Sequence, residues 1–170
     1  MSIVYVLKSP LELPVLNTKA AGNLIGDKQL DSVYLAGHSL GGVVAAMDSK
    51  ESNRVKGLIL LASYPSEKTD LSKKKLAVLS ITASRDAVLN WDNYQSSPPK
   101  KRLPSDTEFF QIEGGNHSEF GDYGLQKKDK AASISARQQK QAIVQAISQF
   151  IQNKNNKKLG CRTSPVFLFS

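Results

Sequence analysis

Five short apolar runs, each of strand length, recur along the first two thirds of this 170-residue chain. They are Ile3–Leu7, Ser32–Ala36, Gly57–Ala62, Leu76–Thr82 and Thr107–Glu113. The second, third and fourth runs are almost continuously apolar at their centres. That pattern is typical of strands buried on both faces of a parallel sheet, so helices should cover both faces.

Two segments between and after these runs have helical periodicity. Apolar residues within 15–25 and within 134–151 recur at the spacing of an amphipathic helix. Alternating strands and helices predict an α/β fold with right-handed crossovers and a mostly parallel sheet of about five strands. We expect one core domain over residues 1–152 and a basic, disordered tail over residues 153–170.

The net charge of +8 is concentrated at one end of the chain. Residues 1–125 carry equal numbers of basic and acidic side chains, whereas Asp129 is the one acidic residue among nine basic ones in 126–170. A solvated helix face and a polar tail are the usual meaning of such an excess. No arginine-rich or aromatic-interleaved pattern indicates a nucleic-acid partner; a tail that anchors to nucleic acid or anionic lipid stays as an alternative.

Export, membrane insertion and metal binding have little support in the sequence. The longest apolar stretch, Gly57–Ala62, is far shorter than the roughly 20 residues of a membrane-spanning helix. The first residues lack the charged leader and long apolar region of a secretory signal. Cys161 is the only cysteine, and no Cys and His cluster has zinc-ligand spacing. We expect a cytoplasmic protein; a longer form with an export signal is an open alternative.

The second apolar run leads into Gly37-His38-Ser39-Leu40-Gly41, a G-x-S-x-G pattern followed by a small-residue helix start. Placing a serine on a sharp strand-to-helix turn demands small residues two before and two after it. Ser39 would then project at a helix N-terminus, where free backbone N–H groups favour developing negative charge. The motif predicts a nucleophilic serine. The alternative is a glycine-rich structural turn that contains a serine without a catalytic role.

A serine nucleophile requires a base and an orienting acid. His38 belongs to the turn itself and is expected to line it, which leaves His117, after the last strand, as the base. Asp86 follows the fourth run by a short turn, and this placement brings its carboxylate to the same end of the sheet as Ser39. Asp92 and Asp106 are the competing carboxylates: the first is expected to cap a short helix, and the second precedes a strand at the opposite end.

With these pieces the sequence resembles the α/β-hydrolase family over nearly all of residues 1–152. The phrase at residues 112–124, Ile-Glu-Gly-Gly-Asn-His-Ser-Glu-Phe-Gly-Asp-Tyr-Gly, is similar to that of a bacterial subgroup of small, cap-poor hydrolases. The resemblance implies that Ser39 is the nucleophile, His117 the general base, Asp86 its orienting carboxylate and Leu40 the source of one oxyanion-hole N–H. It also implies hydrolysis of carboxylic esters through an acyl-serine, with no metal or organic cofactor.

The chain departs from the family's pattern before Ser39. Family members carry several further strands and a loop that donates the second oxyanion N–H. We therefore expect an N-terminally truncated fold with a gap or a rearranged edge beside the elbow strand, and an exposed edge that favours self-association. The apolar residues Val166 to Phe169 are one candidate cover for that edge. A catalytically impaired remnant that serves as a binding or interaction domain is the alternative function.

The link between the third and fourth runs bears on the substrate. Residues 63–75 form a connection of only 13 residues where capped members of the family build their cap. So short a link leaves little chain to enclose a long acyl group. We expect a shallow site for small or exposed esters, with Tyr64, Trp91 and Tyr94 as candidate walls.

Overall fold

A computed structural model describes residues 3–6, 20–95, 101–121, 124–157 and 166–169. Within these ranges six parallel strands form one sheet in the order β1-β6-β2-β3-β4-β5. The α/β prediction is confirmed, and the five apolar runs correspond to the first five strands. The strands are β1 (Ile3–Val6), β2 (Val33–His38), β3 (Val55–Leu61), β4 (Ala77–Ala83), β5 (Glu108–Ile112) and β6 (Val166–Phe169).

The central strands β2, β3 and β4 are buried along almost their whole length. Because successive strand side chains point to opposite faces, each strand contributes to two separate cores. One core, which includes Leu35, Leu58 and Val78, packs against helix residues such as Ala45. The other, on the opposite face, is closed by Phe150, which is 1% exposed. The near-continuous apolar runs are therefore explained by helices on both faces.

Four α-helices lie in the described ranges: α1 (Ala20–Asp27), α2 (Leu40–Glu51), α3 (Trp91–Gln95) and α4 (Ala136–Lys157). A 3-10 turn covers Ser118–Phe120. The segment 15–25 was predicted to be helical; its residues 15–19 lie outside the described residues, and α1 continues to Asp27. The predicted helix at 134–151 begins two residues later because Ser135 and Gln138 cap it reciprocally through their side chains. None of the described helices is long and apolar enough to cross a membrane.

Part of the segment expected to be a disordered tail is helical. Helix α4 continues to Lys157, and Lys154 pairs with Glu108 of β5 at 2.9 Å while its ammonium lies 5.2 Å from the ring centre of Phe150. These contacts anchor the helix end on the sheet beyond residue 152. The division of the chain at residues 152 and 153 stays a prediction.

Strand β6 occupies the place where the sequence predicted a gap beside the elbow strand. Val166 is in register with Ile3 of β1 on one side and with Val33 of β2 on the other, and both pairings are parallel. A strand hydrogen-bonded on both sides has partners for its own backbone groups and for the groups of β1 and β2 that face it. The apolar run at 166–169 is therefore part of the sheet rather than a loose end.

Candidate functional site

Ser39 is the turn residue between β2, which ends at His38, and α2, which begins at Leu40. Its φ of 52° and ψ of −119° lie in a region that a residue with a side chain rarely adopts. The backbone holds it there: Ser39 N–H donates to Leu61 O at 2.9 Å, and Ser63 Oγ donates to Ser39 O at 2.6 Å. The chain thus turns sharply from strand to helix at this serine.

Glycines make this turn sterically possible. A Cβ on Gly37 would lie 2.4 Å from the carbonyl carbon and oxygen of Gly41. A Cβ on Gly42 would lie 2.5 Å from the side chain of Ser63, the residue that hydrogen-bonds the Ser39 carbonyl. The sequence predicts this crowding at Gly37 and Gly41. A side chain has no room at Gly37, Gly42 is a further such position, and the role of Gly41 stays a prediction.

Asp86 follows β4 and is 3% exposed. Its Oδ1 accepts hydrogen bonds from the backbone N–H groups of Val88 and Leu89 at 2.9 and 2.7 Å. Its Oδ2 lies 2.7 Å from Nδ1 of His117. The competing carboxylates, Asp92 and Asp106, are exposed. Asp86 is the candidate acid that contacts the candidate base.

His117 follows β5 and a Gly-Gly turn, and it is 1% exposed. Its Nδ1 is engaged by Asp86, whereas its buried Nε2 has no hydrogen-bond partner among the described residues. A buried imidazole nitrogen without a partner is costly unless a ligand or reaction uses it. Ser39 and His117 line one cavity of about 260 Å³, which is bordered by Ser39, Leu40, Val43, Ala62, Ser63, Tyr64, Val88, Leu89, Asn90 and His117.

Leu40 supplies the first residue of α2 and also borders this cavity. The first amides of an α-helix have no acceptor within the helix, so they are available to a ligand. Its side chain is 41% exposed. Of the candidate pocket walls, Tyr64 borders the cavity, while Trp91 and Tyr94 pack edge to face behind it at a 5.6 Å centroid distance.

His38 packs between His117 and Phe120. Its ring centre lies 4.5 Å from that of His117 and 5.6 Å from that of Phe120, with which it stacks at an interplanar angle of 20°. Burial and the neighbouring His117 lower the pKa of His38 to about 4, although Asp86 and Asp129 act in the opposite direction. His38 is therefore neutral at physiological pH and adds no positive charge beside His117.

The low pKa of His38 predicts acid sensitivity of folding. An unfolded histidine titrates near ~6.5, so the stability that comes from neutral His38 is fully present above that pH and is lost as the pH falls towards 4. When the pH falls from 7 to 4.5, the wild-type protein should lose more unfolding free energy than the His38→Gln variant. We expect the two losses to differ by about 2 kcal/mol. Urea titrations of both proteins at both pH values measure this, and an equal pH dependence in the two proteins would contradict it.

Two polar side chains that the sequence analysis did not select hold the loop that carries His117. Gln139 of α4 is fully buried; its Oε1 accepts from Asn116 N–H at 3.0 Å and its Nε2 donates to Asn116 O at 2.8 Å. Asp129 accepts from Ser118 N–H at 2.8 Å. No local sequence motif predicts these contacts, because each links residues more than ten positions apart.

Comparison with known proteins gives a consistent fold. A family model described as the alpha/beta hydrolase family matches residues 2–141. A monoacylglycerol lipase from Paleococcus ferrophilus superposes with a TM-score of 0.56 and 12% identity, over 81% of this chain and 76% of that one. No curated protein matches the chain by sequence.

Two further solved structures are similar. A CIB-like hydrolase from Thermoplasma acidophilum has a TM-score of 0.52 and 17% identity, over 63% of this chain and 52% of its own. Alpha/beta hydrolase domain-containing protein 10 from mouse has a TM-score of 0.53 and 12% identity, over 64% of this chain and 63% of its own. The chain thus spans between half and two thirds of the length of these two relatives, and at such identities the likeness concerns the fold alone.

Proposed function

The chain belongs to the alpha/beta hydrolase family, and on that premise we propose that it is a serine hydrolase that cleaves carboxylic esters through an acyl-serine intermediate. Ser39 is the nucleophile, His117 the general base and Asp86 its orienting carboxylate. The observation that supports this most directly is the 2.7 Å contact between Asp86 Oδ2 and His117 Nδ1. Nε2 of the same ring has no hydrogen-bond partner in the part of the chain that the structure describes, and His117 borders the same cavity as Ser39.

The proposed reaction follows from these positions. His117 Nε2 takes the proton of Ser39 Oγ as this oxygen attacks the ester carbonyl carbon. The negative charge on the tetrahedral carbonyl oxygen is stabilised by the N–H of Leu40 at the N-terminus of α2. His117 then gives the proton to the departing alcohol oxygen. In the second half, a water molecule attacks the acyl carbonyl carbon while His117 Nε2 takes its proton. Collapse of the second tetrahedral intermediate breaks the bond between the acyl carbon and Ser39 Oγ, and His117 returns the proton to Oγ as the acid leaves.

The fixed position of Asp86 favours these proton transfers. Two backbone N–H groups hold Oδ1, so Oδ2 meets Nδ1 of His117 in one orientation. A carboxylate on Nδ1 keeps the proton on that nitrogen and leaves Nε2 as the basic atom. It also stabilises the imidazolium that forms during the attack.

The cavity supports a small substrate. Its volume of about 260 Å³ is below the ~300–1,000 Å³ of sites for drug-sized ligands. Tyr64, Val88 and Leu89 provide apolar walls for a short acyl group. A cytoplasmic location, the absence of a nucleic-acid partner and self-association at a sheet edge remain predictions that accompany this proposal.

A fluorophosphonate probe tests the proposal because it phosphonylates a serine that an adjacent base activates. We expect residues 1–170 to be labelled, and both Ser39→Ala and His117→Ala to lose the label while they keep a cooperative thermal transition. Labelling that survives in Ser39→Ala would identify another nucleophile. Absence of labelling in folded wild-type protein would instead favour a catalytically impaired remnant that serves as a binding or interaction domain.

A further inference from the structure

Asp129 makes four hydrogen bonds with its two carboxylate oxygens. Oδ2 accepts from both the backbone N–H and the hydroxyl of Ser118, at 2.8 and 2.6 Å. Oδ1 accepts from the N–H groups of Ala87 and Lys130, at 3.2 and 2.9 Å. Burial alone would raise the pKa of Asp129, but these hydrogen bonds outweigh it and lower the pKa below its usual value. The group is thus ionised and bound on both oxygens.

Two of the residues that Asp129 binds, Ala87 and Ser118, are the immediate neighbours of the two site residues. Ala87 follows Asp86, and Ser118 follows His117. One carboxylate therefore joins the turn after β4 to the turn after β5, just beyond the 2.7 Å contact between Asp86 and His117. We propose that Asp129 is a positioning residue that sets the distance and orientation of the Asp86–His117 pair. This inference rests on the proposed serine hydrolase function.

The other side of His117 is already fixed. Gln139 holds both backbone groups of Asn116, the residue before His117, from the buried face of α4. Asp129 supplies the corresponding restraint on the residue after it, so the imidazole lies between two fixed points. Ser118 is restrained by one more hydrogen bond, because its Oγ also accepts from Gln126 N–H at 2.8 Å.

An ionised carboxylate suits this role better than an amide. Among the described residues, the four groups that contact the Asp129 carboxylate are all donors. An asparagine there would turn its own NH₂ group towards donors on one side, so one of the two turns would lose its acceptor. Displacement of a catalytic group by a fraction of an ångström to one ångström lowers the rate of the chemical step more than it weakens binding of the substrate.

The test compares Asp129→Asn with Asp70→Asn in the full chain, using a short-chain p-nitrophenyl ester. Asp70 is a matched control, because it also accepts a backbone N–H, from Ser72 at 2.8 Å, but it belongs to an exposed turn outside the site. We expect Asp129→Asn to lower kcat about 10- to 100-fold with KM nearly unchanged, and Asp70→Asn to change neither constant. Thermal transitions verify that each variant is folded.

A second readout does not depend on turnover. The proton between His117 Nδ1 and Asp86 should give a far-downfield NMR signal, assigned by its loss in His117→Ala. We expect this signal to shift or broaden through exchange in Asp129→Asn and to stay unchanged in Asp70→Asn. If Asp129→Asn fails to fold, Ser118→Ala replaces it. This change removes the hydroxyl contact with Asp129 and the acceptor of Gln126 N–H, but it keeps the backbone contact between Ser118 and Asp129, so a smaller loss of kcat in the same direction is expected.

The outcomes separate the two proposals. Wild-type protein without Ser39-dependent ester cleavage contradicts the proposed function, and the NMR signal then decides the role of Asp129 alone. Ser39-dependent cleavage with an unchanged kcat and an unchanged signal in Asp129→Asn overturns the positioning role and leaves the proposed function standing. A loss of kcat together with a matching rise in KM and no change in the signal also overturns it.

Discussion

Replacing Ser39 by alanine is expected to lower kcat for ester hydrolysis by on the order of 10⁶-fold, because the acyl-enzyme route then has no nucleophile. The remaining activity would come from the polarising N–H of Leu40 and from binding alone. Loss of one hydroxyl leaves the strained turn intact, since Leu61 and Ser63 contact the backbone of Ser39 rather than its side chain. Stability should therefore stay within about 0.5 kcal/mol of the wild type.

Initial rates on a short-chain p-nitrophenyl ester, with urea titration of the same samples, measure both parts of this prediction. Ser105→Ala is the control, because Ser105 is an exposed serine in a turn away from the cavity. It should keep wild-type rates. Equal rates in Ser39→Ala and the wild type would remove Ser39 from the mechanism even if the protein cleaves esters.

The strands and the elbow could be predicted because each is encoded locally. A buried parallel strand needs only a short apolar run, and a strand-to-helix turn around Ser39 needs small residues at fixed offsets from it. Gly37 illustrates this: its absent Cβ is explained by backbone four residues away. Such local constraints produce a residue spacing that can be recognised in the sequence without knowledge of the rest of the fold.

The sheet order could not be predicted in the same way. The register of β6 depends on pairing Val166 with Ile3 and Val33, which are more than 130 positions distant in the chain. Nothing in a four-residue apolar run specifies which edge or gap it fills, since every residue except proline offers the same backbone donor and acceptor for pairing. From the sequence alone these residues are therefore expected in a tail, with a place at the sheet edge as the alternative.

The candidate site also has features that the sequence predicts and features that it does not. Asp86 was preferred over Asp92 and Asp106 because it follows a strand at the end of the sheet where Ser39 lies, and the structure places Asp86 against His117. The sequence does not predict the contacts of Asp129 and Gln139 with the neighbours of His117. Each acts on the backbone of a distant loop, and a side chain that binds backbone groups leaves no complementary residue in the sequence to reveal it.

Gly37→Ala is expected to destabilise the fold by about 3 kcal/mol. The added Cβ would lie 2.4 Å from the carbonyl of Gly41 and 2.5 Å from the amide nitrogen of Gly42. Both contacts are with backbone at the start of α2, so no side chain can rotate away and the helix itself must move. For a chain of this size, that loss corresponds to a fall in Tm of roughly 6–12 °C.

Gly22→Ala separates this steric effect from the general effect of replacing glycine. Gly22 is exposed in α1, and a Cβ there would meet nothing within 4 Å. Because alanine favours helix by up to ~1 kcal/mol over glycine, this control should be neutral or slightly stabilising. The Tm should therefore fall in Gly37→Ala and stay unchanged or rise slightly in Gly22→Ala. If Gly37→Ala melts with the wild type, the close approach of β2 to α2 is wrong, and the strained position of Ser39 that depends on it is wrong as well.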